Sequence, residues 1–415
     1  MKIFVASWFY VPVTTSEALV TYKLLANSEN EYVVCSAKST KWSYKKDSAM
    51  ESSNIRQVTI DTDDFDEFVE KAVETYKELS KTEKFDAIMT RSLPPESQYV
   101  GFKIRAIDPK IPWIASLADP IGNNPYETKF YLLEHRFKLV RNLYFHAPHF
   151  FLTKIAPLIK KPTFQKLSQL YKLERRVLEE ADIIVTPTDA RAEYIMNDPE
   201  LREKKSLVVP HSYDSRLYPE VKGKTDDKFV FTFIGQSDGY RSVEPIVRAV
   251  LLLKDVNPDL LDKIKIRFIG NIPVAIKNMV YVFFLQNVIS VEDPCDYFQS
   301  LQIMQESDVL IHIDAPFFDL LPNGSIFFAA KIADYLGAKK PILGLTDKLC
   351  PAGKILTACG GNCCAHSAYD VAKSMVAMIK GAGSFNKEEA EKYDARNVAK
   401  EFDESLKRRL FSNER

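Results

Sequence analysis

The sequence predicts an α/β protein with two Rossmann-like domains, each built on a parallel sheet. Short apolar runs alternate with segments whose apolar residues recur at helical spacing, and this alternation is typical of βαβ units. The chain has 415 residues, whereas a single hydrophobic core usually stops growing at roughly 250–300 residues. We therefore expect two domains of ordinary size.

The composition is that of a soluble globular protein, with 46% apolar residues, 27% charged residues and a formal net charge of zero. The zero net charge argues against attraction of the whole molecule to nucleic acid. Six cysteines at irregular spacing do not form the disulfide framework of a small secreted domain. The chain enters a strand directly after Met1, and no apolar run reaches the ~18 residues that span a bilayer. These features predict a cytoplasmic protein.

Seven strands are predicted in the first half of the chain. Apolar residues between Phe65 and Leu79 recur at helical spacing, with acids on the opposite face. Ser16 is expected to cap an earlier helix that runs to about Ala26. The strands are expected near residues 3–7, 32–35, 58–60, 87–90, 113–117, 183–186 and 207–209.

Three loops of the first half follow the carboxyl ends of predicted strands, where parallel sheets bind ligands. The loop at residues 11–16 ends in Thr15 and Ser16, whose hydroxyls can donate hydrogen bonds. The loop at residues 90–92 follows the fourth strand. Asp119 follows the fifth strand and is a candidate ligand-binding residue, with an Asx-turn residue as the structural alternative.

A basic, aromatic segment covers residues 129–172. It holds nine Lys or Arg and a single acid, Glu134, with large aromatic residues between them. Such a mixture is typical of helices that rest on an anionic membrane surface. A helical insertion with core aromatics and solvated charges explains the pattern equally well. Nucleic acid is less favoured, because no recognised binding motif accompanies the segment.

The second half predicts a second set of strands with small polar loops. A strand ends at Gly235 and Gln236, and Arg241 lies shortly before the next helix. Another strand ends at Gly270 and Asn271. The strands are expected near residues 229–234, 264–269, 287–291 and 307–313, and the helices over residues 242–254 and 297–305.

Cys363 and Cys364 raise the question of a metal site. Adjacent cysteines ligate one tetrahedral ion awkwardly, and free cysteine packs as a small hydrophobe, so a short buried strand is the favoured interpretation. The motifs G-x-G-x-x-G, Walker A and H-E-x-x-H are absent. Dehydrogenase, NTPase and zincin activities therefore lack support.

The most informative stretch covers residues 322–346. Its middle predicts a helix of about three turns, opened by the small residues that end at Ser325. Ile326 is expected on the buried side of this helix. Lys331 and Asp334 are three residues apart and should share a face. The loop before the helix suits anion binding, because free N–H groups at a helix N-terminus point outward.

This stretch resembles the donor-nucleotide motif of retaining glycosyltransferases of family 4, which have the GT-B fold. The resemblance lies in a strand beginning Asp308-Val, followed by Lys331, then Asp334-Tyr-Leu, then Pro341-Ile-Leu. It implies that Asp334 binds the donor ribose. The family's first acid of an E-x7-E pair falls on Ile326, so that acid is missing here.

The resemblance also implies the other site residues. Arg241 and Lys331 would neutralise the donor diphosphate, and Asp119 would lie near the acceptor, so these three are the candidate catalytic residues. Further weak matches to the family occur at Glu174 and at residues 208–214. The nucleotide-sugar would contact Thr15, Ser16, Gly235, Gln236, Arg241, Asn271, Ser325, Lys331 and Asp334.

The implied activity is transfer of a sugar from a nucleotide-diphosphate sugar to a hydroxyl of a glycan or lipid-linked acceptor, in bacterial surface polysaccharide synthesis. The resemblance further implies retention of configuration, no metal ion, no tightly bound cofactor, and a location in the cytoplasm or at the inner face of the membrane. A GT-B nucleotide-sugar epimerase and a non-catalytic GT-B-like binding protein remain alternatives.

The expected domain organisation follows from the same resemblance. Residues 1–213 would form the acceptor-binding domain and residues 214–386 the donor-binding domain, with a linker at 218–228. Residues 387–415 would form a charged helical segment that crosses back to the first domain. The two domains would face a cleft.

Overall fold

The computed structural model describes residues 1–42, 50–122, 147–159, 162–196, 201, 206–220, 227–237, 241–315 and 326–411. The chain forms two compact units. The first contains the described residues of 1–211 and 395–411, together with Ile326 and Phe327. The second contains the described residues of 212–315 and 328–394. The predicted α/β class with two parallel sheets is confirmed.

The first unit is built on a seven-stranded parallel sheet with the strand order β3-β2-β1-β4-β5-β6-β7. Helices cover a parallel sheet on both faces, and its strands therefore read as nearly continuous apolar runs. The strands are β1 (Lys2–Ala6), β2 (Glu31–Lys38), β3 (Ile55–Asp61), β4 (Ala87–Arg91), β5 (Trp113–Ser116), β6 (Ile183–Thr186) and β7 (Ser206–Val208).

Helices of the first unit pack on this sheet through apolar stripes. In the second of them, Phe68, Ala72 and Tyr76 face the core, and the Tyr76 ring packs edge-on against Phe4 with 5.4 Å between the ring centroids. The helices are α1 (Ser16–Leu25), α2 (Phe65–Leu79), α3 (Gln98–Ile107), α4 (Pro162–Glu180) and α5 (Asp189–Met196).

The second unit has a six-stranded parallel sheet with the order β10-β9-β8-β11-β12-β13. The strands are β8 (Phe229–Ile234), β9 (Ile264–Ile269), β10 (Ile289–Glu292), β11 (Val309–Ile313), β12 (Ile342–Leu345) and β13 (Asn362–Cys364). The helices are α6 (Glu244–Val256), α7 (Pro258–Leu261), α8 (Val274–Val282), α9 (Tyr297–Glu306), α10 (Ala330–Gly337), α11 (Pro351–Ala358), α12 (Ala368–Ile379) and α13 (Lys387–Glu391). The predicted short strand at Cys363 and Cys364 is confirmed.

The chain ends in a long helix, α14 (Ala395–Phe411), which belongs to the first unit. Asp403 of this helix is buried and accepts hydrogen bonds from Ser28 Oγ at 2.7 Å, from the backbone N–H of Glu29 at 2.8 Å and from Asn30 Nδ2 at 2.7 Å. Arg409 donates to the backbone carbonyl of Ser206 at 2.7 Å. These polar contacts fix the helix against the amino edge of the first sheet.

Three local predictions differ from the structure. Thr15, not Ser16, caps α1: its hydroxyl accepts from the N–H of Ala18 at 3.3 Å, and Ser16 is the first helical residue. Residues 387–394 belong to the second unit, where the N–H of Tyr213 donates to the carbonyl of Tyr393 at 3.0 Å, so a single helix does not cover 387–409. Tyr218, expected in a linker, is part of the second unit.

Beyond these three, a fourth difference concerns the helix that carries Lys331. It begins at Ala330 and has eight residues, and the described residues before it, 326–329, are not helical. The carbonyl of Ile326 accepts a hydrogen bond from Thr188 Oγ1 at 3.0 Å, within the first unit. Ile326, expected on the buried side of this helix, therefore lies outside α10.

The basic, aromatic segment is described only in part, since residues 123–146, 160 and 161 lie outside the described residues. Phe151 and Tyr171 are buried in a small apolar cluster with Leu152. These two aromatic residues agree with the alternative of a helical insertion whose aromatics are core residues. Phe150 and Leu158, by contrast, are exposed. In the part of the chain that the structure describes, no helix combines the length and the apolar character that crossing a membrane requires.

Candidate functional site

The candidate site of the second unit lies at the carboxyl edge of its sheet. All of the strand pairs in this sheet are parallel, so the loops that follow β8, β9, β11 and β12 are found along one edge. Such an edge is where open α/β sheets bind ligands. These loops begin with Gly235, Gly270, Asp314 and Thr346.

Two glycines allow the first two loops to approach each other. Gly235 and Gly270 have φ values of +147° and +127°, in the region that favours glycine. A Cβ on Gly270 would lie 2.1 Å from the carbonyl oxygen of Gly235, and a Cβ on Gly235 would lie 2.1 Å from Lys331 Nζ. The glycines therefore make room for a close backbone turn and for an ammonium group beside it.

Lys331 is the central cation of this edge. Its Nζ donates to the carbonyl of Ile234, and it lies 5.9 Å from the centroid of the Phe233 ring. Burial, and next the charge of Arg241, lower the pKa of Lys331 to about 8, while Asp334 acts in the opposite direction. Two basic groups therefore face the same small region, which favours a bound anion.

Asp334 lies one turn after Lys331 on α10 and is buried. One oxygen of its carboxylate, Oδ1, accepts from Tyr297 Oη at 3.1 Å. Its backbone carbonyl accepts from Tyr218 Oη at 2.6 Å. Burial and the negative charge of Asp334 raise the pKa of both tyrosines well above the usual value, so both remain hydrogen-bond donors at neutral pH. The carboxylate of Asp334, which is predicted to bind the donor ribose, is thus held in a fixed position.

Asp314, which the sequence analysis did not select, is a second buried carboxylate at this edge. It accepts from Thr346 Oγ1 at 2.6 Å and contacts His312 Nε2 at 3.0 Å. Burial raises the pKa of Asp314, but His312, Thr346 and Arg241 together outweigh burial and lower it. Asp314 follows a buried strand directly, and the rule that selected Asp119 would also have found it.

The remaining predicted donor residues flank this group. Gln236 and Asn271 are exposed in the loops after β8 and β9, and the N–H of Ser237 donates to the carbonyl of Asn271 at 3.0 Å. Arg241 acts electrostatically on both Lys331 and Asp314. Ser325 lies outside the described residues.

In the first unit, the predicted residues lie at the carboxyl edge of its own sheet. Thr15 caps α1, Ser16 is exposed at the start of that helix, and Asp119 is half-buried in the loop after β5. The N–H of Ala118 donates to Ser92 Oγ at 3.2 Å, which ties the loops after β4 and β5 together. The structure describes the two units separately, so Thr15, Ser16 and Asp119 form one candidate group and the donor residues another.

Arg91 is the last residue of β4 at this edge, but it is not available to a ligand. It is buried, its Nε donates to Glu17 Oε1 at 2.7 Å, and its Nη1 donates to Ser116 Oγ at 2.6 Å. These contacts join α1, β4 and β5. The role of Arg91 is therefore to position the loops around it.

Glu174 holds the loop that carries Asp119. Its carboxylate accepts from the N–H groups of Ile121 at 3.3 Å and Gly122 at 3.1 Å, and it forms a buried ion pair with Arg191. Removing either charged partner of a buried pair leaves the other uncompensated. Glu174 thus supports the candidate acceptor residue indirectly.

Among the described residues, His, Cys, Asp and Glu side chains form no group of three or more that could hold a metal ion. Cys350 caps α11 through a contact from the N–H of Gly353 at 3.3 Å, and burial raises its pKa. Cys350 is therefore a capping residue in this structure.

Comparison with known proteins gives one curated relative and many similar structures. No family model matches the sequence. D-inositol 3-phosphate glycosyltransferase of Stackebrandtia nassauensis is 29% identical over 105 residues, which is 23% of this chain and 24% of that protein. The match thus spans about a quarter of the length of the curated relative.

Three solved structures match almost the whole chain. Sucrose-phosphate synthase from Thermosynechococcus elongatus has a TM-score of 0.65 at 12% identity, covering 99% of both chains. A putative UDP-N-acetylglucosamine 2-epimerase from Listeria monocytogenes has a TM-score of 0.58 at 12% identity, covering 99% of this chain and 97% of that one. A structure described as "Trehalose-6-phosphate from E. coli bound with UDP-2-fluoro glucose" has a TM-score of 0.59 at 10% identity, covering 98% of this chain and 99% of that one. The predicted GT-B fold is confirmed.

Proposed function

We propose that this protein is a glycosyltransferase that moves a sugar from a nucleotide-diphosphate sugar to a hydroxyl group of an acceptor. One observation carries the proposal: Gly235, Gly270, Lys331 and Asp334 meet at the carboxyl edge of the second sheet, with Arg241 in electrostatic reach. A close backbone turn and two cations suit a diphosphate, and a fixed carboxylate suits a pair of ribose hydroxyls.

The chemistry assigned to these residues is stabilisation of the leaving group. When the sugar–phosphate bond breaks, negative charge develops on the diphosphate, and cations already in place lower the barrier. Arg241 and Lys331 would supply that charge, and Asp334 would orient the nucleoside. Asp119 of the first unit would lie on the acceptor side.

Uracil is the first base to test. One of the three similar structures is described as bound with UDP-2-fluoro glucose, and another is a putative UDP-N-acetylglucosamine 2-epimerase. The proposed acceptor is a glycan or a lipid-linked glycan, in surface polysaccharide synthesis. Retention of configuration and independence from metal ions belong to the same proposal. Equal turnover with and without EDTA, and a product with the anomeric configuration of the donor, are the expected results.

A membrane-surface role for residues 129–172 is part of the proposal. The described part of that segment exposes Phe150 and Leu158, with the exposed basic residues Lys154 and Lys166 nearby in sequence. Such a mixture suits the headgroup region of an anionic bilayer. Charge reversal at Lys154 and Lys166 is expected to weaken binding to anionic liposomes. Equal binding would leave these residues as ordinary solvated charges.

The decisive experiment follows the fate of the donor. The protein is incubated with UDP-glucose or UDP-N-acetylglucosamine, with and without hydroxyl acceptors, and nucleotide, sugar and product are quantified by mass spectrometry. A glycosyltransferase releases UDP and places the sugar on the acceptor. An epimerase, which the likeness to the Listeria structure keeps as the second candidate, isomerises the sugar without an acceptor. A non-catalytic binding protein leaves the donor intact.

A further inference from the structure

An apolar patch on the second unit lies away from the candidate site. It consists of Val256 at the end of α6 and the run Tyr281-Val-Phe-Phe284 at the end of α8. Phe284 is 80% exposed, Val256 77% and Tyr281 72%. Lys254 Nζ donates to the carbonyl of Phe283 at 3.1 Å, which brings the ends of α6 and α8 together. These residues are called the α8 patch below.

The α8 patch is comparable in size to the largest apolar patch of a typical monomer. An aromatic side chain has 150–250 Å² of surface that it can bury. At their exposed fractions, Tyr281, Phe283 and Phe284 together expose on the order of 400 Å². The largest apolar patch of a typical monomer measures roughly 300–600 Å² and often has a function. With Val256 and Val282, the α8 patch supplies the larger part of the roughly 800 Å² that each partner contributes to a standard protein interface.

The backbone of the patch is also unusual. Phe284 has a φ of +52°, a conformation that bulky residues rarely adopt, and its neighbour Leu285 donates back to the carbonyl of Val280 at 2.9 Å. The turn therefore holds an aromatic side chain outward at a conformational cost. Such strain is concentrated at functional surfaces.

The position of the α8 patch separates it from nucleotide binding. Helices α6 and α8 each end just before the next strand begins, so their ends lie at the amino edge of the sheet. Gly235 and Lys331 lie at the carboxyl edge. A bound nucleotide does not cover the patch, and another partner is needed to do so.

Charges around the patch indicate which partner. Exposed Lys254 and Lys277 lie beside exposed Asp255 and Asp259, so both signs border the apolar centre. These four charges cancel, so they provide no net attraction to an anionic bilayer. A second copy of the chain, turned by a two-fold axis, would match lysines to aspartates around an apolar centre, which is the usual anatomy of a protein interface.

We propose that the α8 patch is the interface of a symmetric homodimer of this protein. The dimer is expected to have twice the 47.4 kDa mass of the chain. Because aromatic anchors dominate interface energies, the loss of one is expected to weaken self-association by about thirtyfold or more.

Sedimentation velocity over a micromolar concentration series tests this proposal. The first variant is Phe284→Asn, which removes the ring and suits a positive φ, so it should fold at least as well as the wild type. The second is Tyr281→Glu, matched by Tyr369→Glu, since Tyr281 and Tyr369 are 72% and 70% exposed. We expect Phe284→Asn and Tyr281→Glu to be monomers, and Tyr369→Glu to dimerise like the wild type.

Three results would overturn the proposal. The first is a wild type that is monomeric throughout the series, and the second is a dimer that both patch variants leave unchanged. The third is a monomeric wild type that floats with liposomes, where Tyr281→Glu abolishes flotation and Tyr369→Glu does not; this result would assign the patch to a membrane. The variants should keep the UDP-induced thermal shift of the wild type, so failure of the dimer and failure of the proposed activity are distinguishable.

Discussion

Replacing Lys331 by Met should weaken UDP binding strongly at neutral pH. The Lys331 ammonium lies beside Gly235 and Ile234, where the diphosphate is expected, and its pKa is about 8. At pH 7 it is mostly charged. A hydrogen bond to a charged group contributes about 1.5–3 kcal/mol, so the dissociation constant should rise by roughly 10- to 150-fold.

The pKa of Lys331 gives the prediction a pH signature. A bound diphosphate favours the charged ammonium, so its binding raises this pKa. Near pH 8 about half of the free protein has a neutral Lys331, and UDP binding should therefore take up about half a proton. The affinity should fall as the pH rises above 8. Titration calorimetry in buffers of different ionisation enthalpy measures both effects.

Unfolding should not explain the loss of binding. The folded-state pKa of Lys331 is lowered from 10.5 to about 8, so between these values the unfolded chain binds more protons than the folded protein. The unfolding free energy therefore rises with pH across this window, and below it the buried charge is a cost. Lys331→Met removes that cost and should not lower the melting temperature.

The controls are Lys331→Arg, which should bind UDP without proton uptake, and Lys373→Met, which makes the same charge change at an exposed position of α12. Lys373→Met should behave like the wild type. If Lys331→Met binds UDP as tightly as the wild type, and the wild type takes up no proton at pH 8, the assignment of Lys331 to the diphosphate is wrong.

Three further predictions concern neighbouring residues. Asp334→Asn keeps an acceptor for the hydroxyl of Tyr297 and should lose UDP affinity with little change in stability. Asp334→Ala removes the hydrogen bond from Tyr297 and should also lower the unfolding free energy by about 0.5–1.5 kcal/mol. Equal stability of the two variants in a denaturant titration would contradict this prediction. Gly235→Ala places a Cβ 2.1 Å from Lys331 Nζ, at a φ that alanine rarely adopts, so calorimetry should show UDP affinity reduced at least tenfold. Wild-type affinity would mean that Gly235 is not part of the site. Asp403→Ala removes three hydrogen bonds that hold α14, so thermal unfolding should show an unfolding free energy lower by about 2–4 kcal/mol. A decrease below ~0.5 kcal/mol would mean that α14 is fixed by its apolar contacts alone.

The alternation of apolar runs and helical patterns predicts the α/β class, and the family resemblance adds the GT-B fold. Parallel strands are buried on both faces, so each produces an apolar run that is visible without any knowledge of its neighbours. The strand at Cys363 and Cys364 is an example, since small buried side chains favour packing over metal binding there. Local signals of this kind fix the number and order of strands.

The surroundings of Ile326 could not be predicted because its partner is distant in sequence. Thr188 donates to the carbonyl of Ile326 from 138 residues away, and local propensity contains no trace of that bond. The partner of Asp334 was hidden for the same reason, since Tyr297 is 37 residues away. Long-range hydrogen bonds of this type place site carboxylates.

Asp314 could have been found from the sequence. It directly follows a buried strand, as Asp119 does, and the same rule applies to both. Arg91 meets that rule as well, yet the structure shows it buried against Glu17. Position after a strand therefore selects candidates, and burial and pairing decide among them.

The most direct test of the central claim is a thermal-shift screen of the wild type and Lys331→Met against UDP, GDP, CMP, TDP and their common sugar conjugates. A ligand that binds the native state stabilises it by about 2.7 kcal/mol at a hundred times its dissociation constant. We predict a clear rise in the melting temperature of the wild type with one nucleotide family, UDP first among them, and a much smaller rise for Lys331→Met. No shift of the wild type with any of these nucleotides would contradict the claim that the second unit binds a nucleotide-sugar donor.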